Sequence, residues 1–358
     1  MTTVRAFGAP RSYIQGPGVL DRLGDIVAGL GARPVVVADS AALERLEDRL
    51  RSALRASGEP VLMLPFQGFV TRAAVDALIA RIPAADVVVA VGGGRALDAG
   101  KSVSVTLGAR LVIVPTIASS DAATSKSAVI HDADDDFAAI DRMAFNPDVV
   151  LVDTEVIAAA PAEYLRWGIG DALSKRFEAR ACQAASGLNA HGARAPIAAV
   201  ALADACYATL RRSAPGAIAA VERGVADDHL EDTVEAALLL SGLGFESGGL
   251  SIAHTVALAL AAHPSTRAAA HGQQVAYGLL VQLALDPAEA ALLADIHGFL
   301  GEVGLPRRLA ELGSSGGEAE IGILAGLAAE GLWVGNYPAV VDRAALMAAL
   351  ATVEQLPV

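Results

Sequence analysis

Basic and aromatic residues are scarce in this sequence. Across 358 residues the formal net charge is −13, and phenylalanine, tryptophan and tyrosine together make up only 4%. A nucleic-acid partner requires dense basic patches on the protein, so the composition argues against such a partner. Hydrophobic residues make up 54% of the chain, which is enough to build a large and mostly aliphatic core and excludes extensive disorder.

Cysteines, membrane spans and targeting signals are also scarce. The two cysteines, Cys182 and Cys206, form neither a CxxC motif nor a disulfide framework, which fits a reducing compartment. The sequence has no uncharged apolar run of membrane-spanning length, no basic amphipathic segment and no signal-peptide pattern at its N-terminus. We therefore expect a cytoplasmic protein without a membrane partner.

The two halves of the chain differ in their hydrophobic pattern. Short apolar runs alternate with helical patterns in the first half, which predicts strands at 33–39, 60–64, 86–91, 109–114 and 149–152 and helices at 41–57 and 70–82. Such alternation is typical of a parallel sheet covered by helices. After about residue 160 alanine- and leucine-rich stretches replace the β-branched runs, for example at 194–212, 230–243 and 249–262, and they predict helices.

These patterns predict two domains. Residues 1–160 should form an α/β domain with a parallel, Rossmann-like sheet, and residues 161–358 should form an all-α domain. We place the boundary near Pro161, after the last predicted strand.

A glycine-rich loop stands between a predicted strand and a predicted helix. Gly92, Gly93 and Gly94 open the segment GGGRALDAGK, which ends at Lys101. Glycines let a pyrophosphate approach the backbone, and a helix N-terminus offers free amides; the alternative is a tight turn without a ligand. Asp39 ends an earlier strand, where its carboxylate could bind an adenosine ribose or cap the next helix.

Three residues far apart in the sequence could form a catalytic metal site. Asp171 begins a helix, His254 lies within one and His271 begins another. One carboxylate and two imidazoles suit a metal with an open position. Their separations are too long for a local motif, so from spacing alone simple packing of the histidines is the more economical interpretation.

Taken together, several segments resemble the glycerol dehydrogenases of the iron-containing alcohol dehydrogenase superfamily. They occur in order at residues 12–16 (SYIQG), 92–101 (GGGRALDAGK), 115–122 (PTIASSDA), 146–149 (NPDV), 152–154 (VDT), 168–172 (GIGDA) and 244–250 (GFESGGL), followed by His254 and the His271-Gly272 pair. The matches fade after about residue 300.

The resemblance implies an active site in a cleft between a cofactor domain and a helical domain. It implies a divalent metal on Asp171, His254 and His271, zinc in glycerol dehydrogenases and iron in other branches, and a substrate contact by Asp121. It implies a homo-oligomer such as an octamer. It also implies NAD as cofactor, and we take its contacts to be Asp39, Gly93, Gly94, Arg95, Asp98, Thr116, Ser119, Ser125, Ser127 and His131.

The implied reaction is hydride transfer from a small hydroxyl compound to NAD. The metal lowers the pKa of the substrate hydroxyl, and His131 is a candidate member of the proton relay; its alternative is a polar loop residue beside Asp132. The negative charge of Asp39 would repel a ribose 2′-phosphate, so we expect NAD rather than NADP.

The sequence also departs from the pattern of the glycerol dehydrogenases that it resembles. Relatives tend to have tyrosine at the position of His131 and apolar residues at those of Lys126 and Ser127. The four-ligand branch has a histidine where this chain has Lys175, which favours three ligands. A helix lysine at that position resembles the glycerol-1-phosphate dehydrogenases instead.

Lysine occurs only at Lys101, Lys126 and Lys175, and all other basic residues except histidine are arginine. A compact ammonium fits a crowded site better than a guanidinium, so Lys126 or Lys175 could bind an anionic group of the substrate. The alternative is that the lysines stand at these positions by chance and that Lys175 only forms an ion pair with Asp171 or Glu178.

Three functions therefore remain open. The first is a dehydrogenase of neutral vicinal diols and polyols, and the second is the same chemistry on a phosphate, phosphonate or carboxylate substrate. The third is a lyase that resembles dehydroquinate synthase, although such lyases have a glutamate at the position of Asp171 and lack the pattern of residues 245–250.

Overall fold

The structure is a computed structural model that describes residues 3–57, 61–132 and 137–357. Its first half is built on one parallel sheet of six strands, in the order β1-β8-β5-β4-β2-β3. These strands are β1 (Ser12–Gly16), β2 (Pro34–Asp39), β3 (Leu62–Phe66), β4 (Val87–Gly92), β5 (Arg110–Pro115) and β8 (Val149–Asp153). A separate antiparallel hairpin pairs β6 (Ser127–His131) with β7 (Phe137–Arg142).

Helices cover the sheet and form most of the second half of the chain. Those of the first half are α1 (Leu23–Ala28), α2 (Ser40–Ala53), α3 (Arg72–Ile79), α4 (Gly94–Leu107) and α5 (Thr154–Ala158). They are followed by α6 (Ala162–Leu173), α7 (Lys175–Ala184), α8 (Ile197–Glu222), α9 (Asp228–Glu235), α10 (Ser241–Gly248), α11 (Ile252–Ala262), α12 (His271–Ala284), α13 (Ala290–Glu302), α14 (Glu318–Ala329) and α15 (Arg343–Glu354). A π-helical turn, Ala236–Leu240, joins α9 to α10.

Alternating side chains of the central strands pack into two cores. Val35 and Val37 of β2 belong to a core that continues into the second-half helices, whereas Val36 packs on the opposite face with α1 and α2. Successive residues of a strand point to opposite faces of the sheet, so a strand that is covered on both faces is apolar at every position. The apolar run within residues 33–39 therefore indicated a strand that is buried on both faces.

The architecture agrees with the predicted fold class. The strands predicted at 33–39, 86–91, 109–114 and 149–152 are present with bounds shifted by a residue or so. The strand predicted at 60–64 runs from Leu62 to Phe66, and Pro60 lies outside the described residues. Three strands, β1, β6 and β7, were not predicted as strands. The domain boundary near Pro161 stays a prediction.

Among the described residues, none of the individual helices has the length and apolar character needed to cross a membrane. One helix pair, Asp228–Gly248 with Ile252–Ala262, meets the length and composition requirement jointly but is bent by 100°.

Candidate metal centre and cofactor cleft

Three neighbouring strands bring predicted cofactor residues to one edge of the sheet. Asp39 ends β2, Gly92 ends β4 and Pro115 ends β5. The central strand of the three, β4, pairs with both β2 and β5. The carboxyl ends of parallel strands meet at the same edge, and that edge is where open α/β sheets bind ligands. The backbone N–H of Thr116 donates to the carbonyl of Gly92 at 3.0 Å, which holds the segment after β5 against the glycine loop.

The three glycines of the loop have different reasons to be glycine. Gly92 has a φ of +140°, and a Cβ there would lie 2.7 Å from Cβ of Asp39. A Cβ on Gly93 would lie 2.8 Å from Cδ1 of Ile117. The backbone conformation and the packing therefore require glycine at position 92, whereas at Gly93 the end of the Ile117 side chain would have to move. At Gly94, by contrast, the nearest atom to such a Cβ, outside the chain neighbours and the backbone of α4, is 3.6 Å away, so the packing tolerates a methyl group there.

Gly93 is the N-cap of α4, and it offers no side chain to the first amides of that helix. These amides and the positive end of the helix dipole are suited to bind an anionic group. The glycine loop thus offers amides to an anionic group, and a pyrophosphate contact there stays a prediction.

Asp39 caps α2. Its Oδ1 accepts hydrogen bonds from the backbone N–H groups of Ala41 at 3.0 Å and Ala42 at 3.2 Å. Oδ2 takes no part in this cap and is left for a second partner. The capping role is thus present, and it is compatible with the predicted ribose contact, which stays a prediction.

Lys101 forms hydrogen bonds with three of the predicted cofactor contacts, Asp98, Ser125 and Ser127. The buried Nζ of Lys101 donates to Oδ1 of Asp98 at 2.9 Å and to the carbonyl of Ser127 at 2.7 Å, and it lies 3.4 Å from Oγ of Ser125. Oδ2 of Asp98 accepts from the backbone N–H of Val129 at 3.0 Å. These contacts fasten α4 to β6, so Lys101 has a structural role, and cofactor contacts by Asp98, Ser125 and Ser127 stay predictions.

His131 and Arg95 meet across a phenylalanine. The Arg95 guanidinium lies 4.0 Å from the ring centre of Phe69, and the His131 ring lies 5.6 Å from it. Nδ1 of His131 is buried and lacks a hydrogen-bond partner among the described residues. These contacts pack His131, the last residue of β6, against Phe69, and its predicted cofactor contact stays a prediction.

The three predicted metal ligands come together. Asp171 lies in the last turn of α6, so the prediction that it begins a helix was wrong. Asp171, His254 in α11 and His271 at the start of α12 have ligand atoms that all lie within 4.8 Å of one another. Nε2 of His254 is 3.3 Å, and Nε2 of His271 is 3.9 Å, from Oδ1 of Asp171. Asp171 and His254 are buried, whereas the side chain of His271 is half exposed.

The donor set fits a divalent metal. One carboxylate and two imidazole nitrogens are the ligands of catalytic zinc and non-haem iron sites. Oδ2 of Asp171 is buried and has no hydrogen-bond partner in the part of the chain that the structure describes, and an orphaned carboxylate oxygen is costly unless a cation is bound. Burial would raise the pKa of Asp171, but Lys175 and the two histidines hold that pKa well below its usual range, so the carboxylate is ionised, as a metal ligand must be.

Glycines let the helices that carry these ligands approach closely. A methyl group on Gly170 would overlap the carbonyl oxygen of Gly272, and one on Gly272 would overlap that of Trp167. Because these glycines precede Asp171 and follow His271 directly, contact between α6 and α12 brings the two ligands together. The GIGDA and HG motifs therefore encode the approach of the ligands as well as the ligands themselves.

Glu178 is a functional candidate that the sequence analysis considered only as a partner for Lys175. It is fully buried, and its Oε2 lies 2.6 Å from Nδ1 of His254. Its Oε1 accepts from the backbone N–H groups of Ser251 and His254, at 2.9 and 3.0 Å. Burial opposes ionisation of Glu178, but His254, Lys175 and the backbone N–H of Ser251 together lower its pKa. A carboxylate on Nδ1 leaves Nε2 free to bind a metal.

Lys175 lies inside the cluster. Its side chain is 1% exposed, and Nζ donates to Oδ1 of Asp171 at 2.6 Å. Nζ also lies 3.1 Å from Nε2 of His254 and 3.2 Å from Oδ2 of Asp121. Burial disfavours the ammonium, but the carboxylates of Asp121, Asp171 and Glu178 together raise the pKa of Lys175. The lysine is therefore charged, and carboxylates already neutralise that charge.

Asp121, the predicted substrate contact, is held through one of its two oxygens. Oδ2 accepts from Oγ of Ser241 at 2.8 Å and faces Lys175. Ser241 directly follows the π-helical turn, whose Leu238 carbonyl accepts from Oγ1 of Thr124 at 2.9 Å. Such turns free carbonyls from the helical pattern and often occur at functional sites; here the turn fastens the Asp121 loop to the helical half of the chain.

Lys126 contacts residues outside this cluster. Its Nζ is 2.9 Å from Nδ1 of His191, and its backbone N–H donates to the buried carboxylate of Glu246 at 3.3 Å. Burial and the charge of Lys126 lower the pKa of His191, so the ring is neutral and can accept from the ammonium. The structure thus separates the two lysines that the sequence analysis treated together.

Comparison with known proteins gives the context of this site. A family model described as iron-containing alcohol dehydrogenase matches residues 10–154. The chain is 37% identical over 355 residues to a glycerol dehydrogenase of Escherichia coli O6:H1, with 98% of this chain and 97% of that protein covered. It is 39% identical over 315 residues to a glycolaldehyde reductase of Halobacterium salinarum, with 87% and 86% covered.

A solved structure extends this similarity to the whole fold. A probable glycerol dehydrogenase from Sinorhizobium meliloti superposes with a TM-score of 0.91 at 36% identity, and 98% of each chain is covered. The similarity therefore includes the helical half, which the family model does not match.

Proposed function

Because this chain belongs to the iron-containing alcohol dehydrogenase family and is thus an oxidoreductase acting on CH–OH groups, we propose that it is a metal-dependent, NAD-linked dehydrogenase of vicinal diols and small polyols. The product is the corresponding hydroxyketone or aldehyde. The observation that carries the proposal is the convergence of Asp171, His254 and His271 around a carboxylate oxygen without a partner among the described residues.

A divalent ion held by these three residues would supply the Lewis acidity that lowers the pKa of a substrate hydroxyl, while NAD supplies the hydride acceptor. Glu178 holds the His254 ring through Nδ1 and so directs its Nε2 toward Asp171. Zinc is the proposed metal and iron is the alternative, since the same donor set serves both.

Asp121 orients the substrate in this proposal. Ser241 and Lys175 engage its Oδ2 and leave Oδ1 to accept a hydrogen bond from a second substrate hydroxyl. A diol that is fixed at two hydroxyl groups presents a defined C–H bond, and such positioning supplies a large part of the catalytic effect. The neighbouring hydroxyl thus becomes a recognition element, and we expect a preference for diols over simple alcohols.

NAD would lie along the carboxyl edge of the sheet. The first turn of α4 and the space at Gly94 suit its pyrophosphate, and Oδ2 of Asp39 suits the adenosine ribose. We keep Thr116, Ser119 and His131 as further proposed contacts on the same edge; Ser119 is half-buried in the segment after β5.

The competing functions receive less support. Lys175 faces Asp121 and Asp171, so little of its charge is left for an anionic substrate. The lyase hypothesis is opposed by relatives that are dehydrogenases and reductases. The predicted homo-oligomer and cytoplasmic location rest on the resemblance and the composition, and they stay predictions.

A substrate panel with NAD and added zinc tests the proposal. It should contain glycerol, 1,2-propanediol and, with NADH, dihydroxyacetone, beside glycerol phosphates and hydroxyalkyl phosphonates. We expect turnover of the neutral compounds, and no competition from the anionic ones. Turnover of a phosphate or phosphonate in preference to every neutral diol would contradict the proposal.

A further inference from the structure

Trp333 lies against one of the metal-ligand candidates. The centre of its ring system is 6.3 Å from the centre of the His254 ring, with the two planes at 89°. The His254 ring in turn lies 5.4 Å from that of His271. Trp333 is half-buried and is one of only two tryptophans in the chain. The resemblance fades before this residue, so no motif pointed to it.

The chain on both sides of Trp333 is fastened to α11, the helix that carries His254. On one side, a methyl group on Gly331 would overlap the side chain of Thr255, so the backbone passes directly over the helix. On the other side, Nδ2 of Asn336 donates to the carbonyl of Leu250 at 2.8 Å, and the Asn336 carbonyl accepts from Oγ of Ser251 at 3.1 Å. The segment that carries Trp333 is therefore held against the first turns of α11 and the two residues before that helix.

Two polar and two aromatic side chains lie near the three metal-ligand candidates. Asp121 and the ammonium of Lys175 provide the polar part. Phe245, half-buried, has its ring centre 5.7 Å from Nζ of Lys175, and Trp333 lies at His254. A substrate whose hydroxyl groups face Asp121 and the metal ligands would place its remaining substituent against an aromatic surface.

We propose that Trp333 is a specificity-determining residue that selects vicinal diols with an apolar substituent, such as a methyl or ethyl group, over fully hydroxylated polyols. This inference rests on the proposed function and narrows its substrate class. An indole face offers dispersion contacts to a hydrocarbon group, whereas a hydroxyl placed there loses its water without gaining a partner. An apolar pocket discriminates against a substrate that carries one added hydroxyl group by up to about 100-fold in kcat/KM.

The test compares glycerol with 1,2-propanediol, which differ by one hydroxyl group, in the zinc-loaded wild type and in Trp333→Ala. We expect the wild type to prefer 1,2-propanediol. The variant should lose about 10-fold or more in kcat/KM for 1,2-propanediol and less than about 3-fold for glycerol. Trp333→Phe should retain most of the preference, because it keeps an aromatic surface. Phe145→Ala, at an exposed aromatic residue, is the control and should leave the ratio of the two diols unchanged.

Two failures can be told apart. A wild type that oxidises both diols, with a Trp333→Ala variant of unaltered diol ratio, would overturn the role of Trp333 and leave the proposed function standing. A wild type that oxidises no diol with either zinc or iron bound would contradict the proposed function, and the inference about Trp333 would fall with it. Equal losses for both diols in Trp333→Ala would assign Trp333 to the stability of the site and would likewise overturn its role in selection.

Discussion

Nδ1 of His254 lies 2.6 Å from Oε2 of Glu178, and Nε2 of the same ring lies 3.3 Å from Oδ1 of Asp171. The carboxylate therefore fixes which nitrogen carries the proton and which one faces the other ligand candidates. Glu178 is itself fixed, because Ser174 donates to its Oε2 at 2.8 Å and two backbone amides donate to Oε1. Carboxylates in this position orient a ligand and increase its basicity.

The first prediction concerns this carboxylate. Glu178→Gln keeps the size of the side chain but removes the charge that favours a proton on Nδ1 of His254. We expect zinc affinity to fall by about 10–100-fold, measured by competition with a chromophoric chelator. Glu163→Gln, on an exposed position of α6, is the control and should bind zinc like the wild type. Unchanged affinity in Glu178→Gln would show that the contact is only structural.

The second prediction concerns the buried ammonium. Without metal, Lys175 is the cation that faces both Asp121 and Asp171. Removing one partner of a buried ion pair costs about 3–5 kcal/mol, so Lys175→Met should lower the free energy of unfolding of the metal-free protein by that order. A bound cation would replace part of the lost charge, so zinc should raise the stability of the variant more than that of the wild type.

Urea unfolding with and without zinc measures both effects. Lys126→Met is the matched control, because Lys126 contacts a neutral imidazole rather than two buried carboxylates; its loss of stability should be smaller and independent of zinc. If zinc stabilises Lys175→Met no more than the wild type, the ammonium does not occupy the electrostatic environment of the metal site.

The third prediction separates the roles of the loop glycines. Because the protein leaves room beside Gly94, Gly94→Ala should fold normally but bind NAD at least about 10-fold more weakly, since a methyl group would meet the phosphates. Gly298→Ala, at an open and exposed helix position, is the control. Isothermal titration with NAD gives the affinities, and thermal unfolding confirms the fold. Wild-type affinity in Gly94→Ala would move the pyrophosphate away from this loop.

The fourth prediction tests the charge at Asp39. Asp39→Asn keeps an oxygen that can accept from the amides of Ala41 and Ala42, so the cap on α2 should survive. The lost negative charge should raise kcat/KM for NADP relative to NAD, because a 2′-phosphate would no longer meet a carboxylate. Steady-state kinetics with both cofactors measure this ratio. If the wild type uses NAD and NADP equally well, Asp39 acts only as a helix cap.

Much of the fold could be predicted because its central strands are covered on both faces. That position makes β2 and β4 nearly continuous valine runs, which are easy to recognise. β1 lies at the edge of the sheet and pairs only with β8 among the described strands. Its five residues are all half-buried, so it lacks the continuous apolar run. β6 and β7 form a small hairpin outside the sheet with partly exposed residues, and its pattern is correspondingly weak.

The site could be predicted only in part. The resemblance supplied Asp171, His254 and His271, and the rarity of lysine pointed to Lys175. Glu178 and Ser241 carried no such signal, since an acid or a serine in a helix is ordinary until its distant partner is known. Trp333 follows the region of resemblance, and its contact with His254 arises only when the loop at residues 331–337 folds over α11.

The most direct test of the account is metal content measured together with diol oxidation on the same sample. Exhaustive chelation should remove the metal and abolish NAD reduction with 1,2-propanediol, and one equivalent of zinc or iron per chain should restore the activity. His271→Ala, whose half-exposed side chain contributes little to the core, should fold but fail to regain activity. Full activity in a wild-type sample that elemental analysis shows to be free of metal would contradict the central claim.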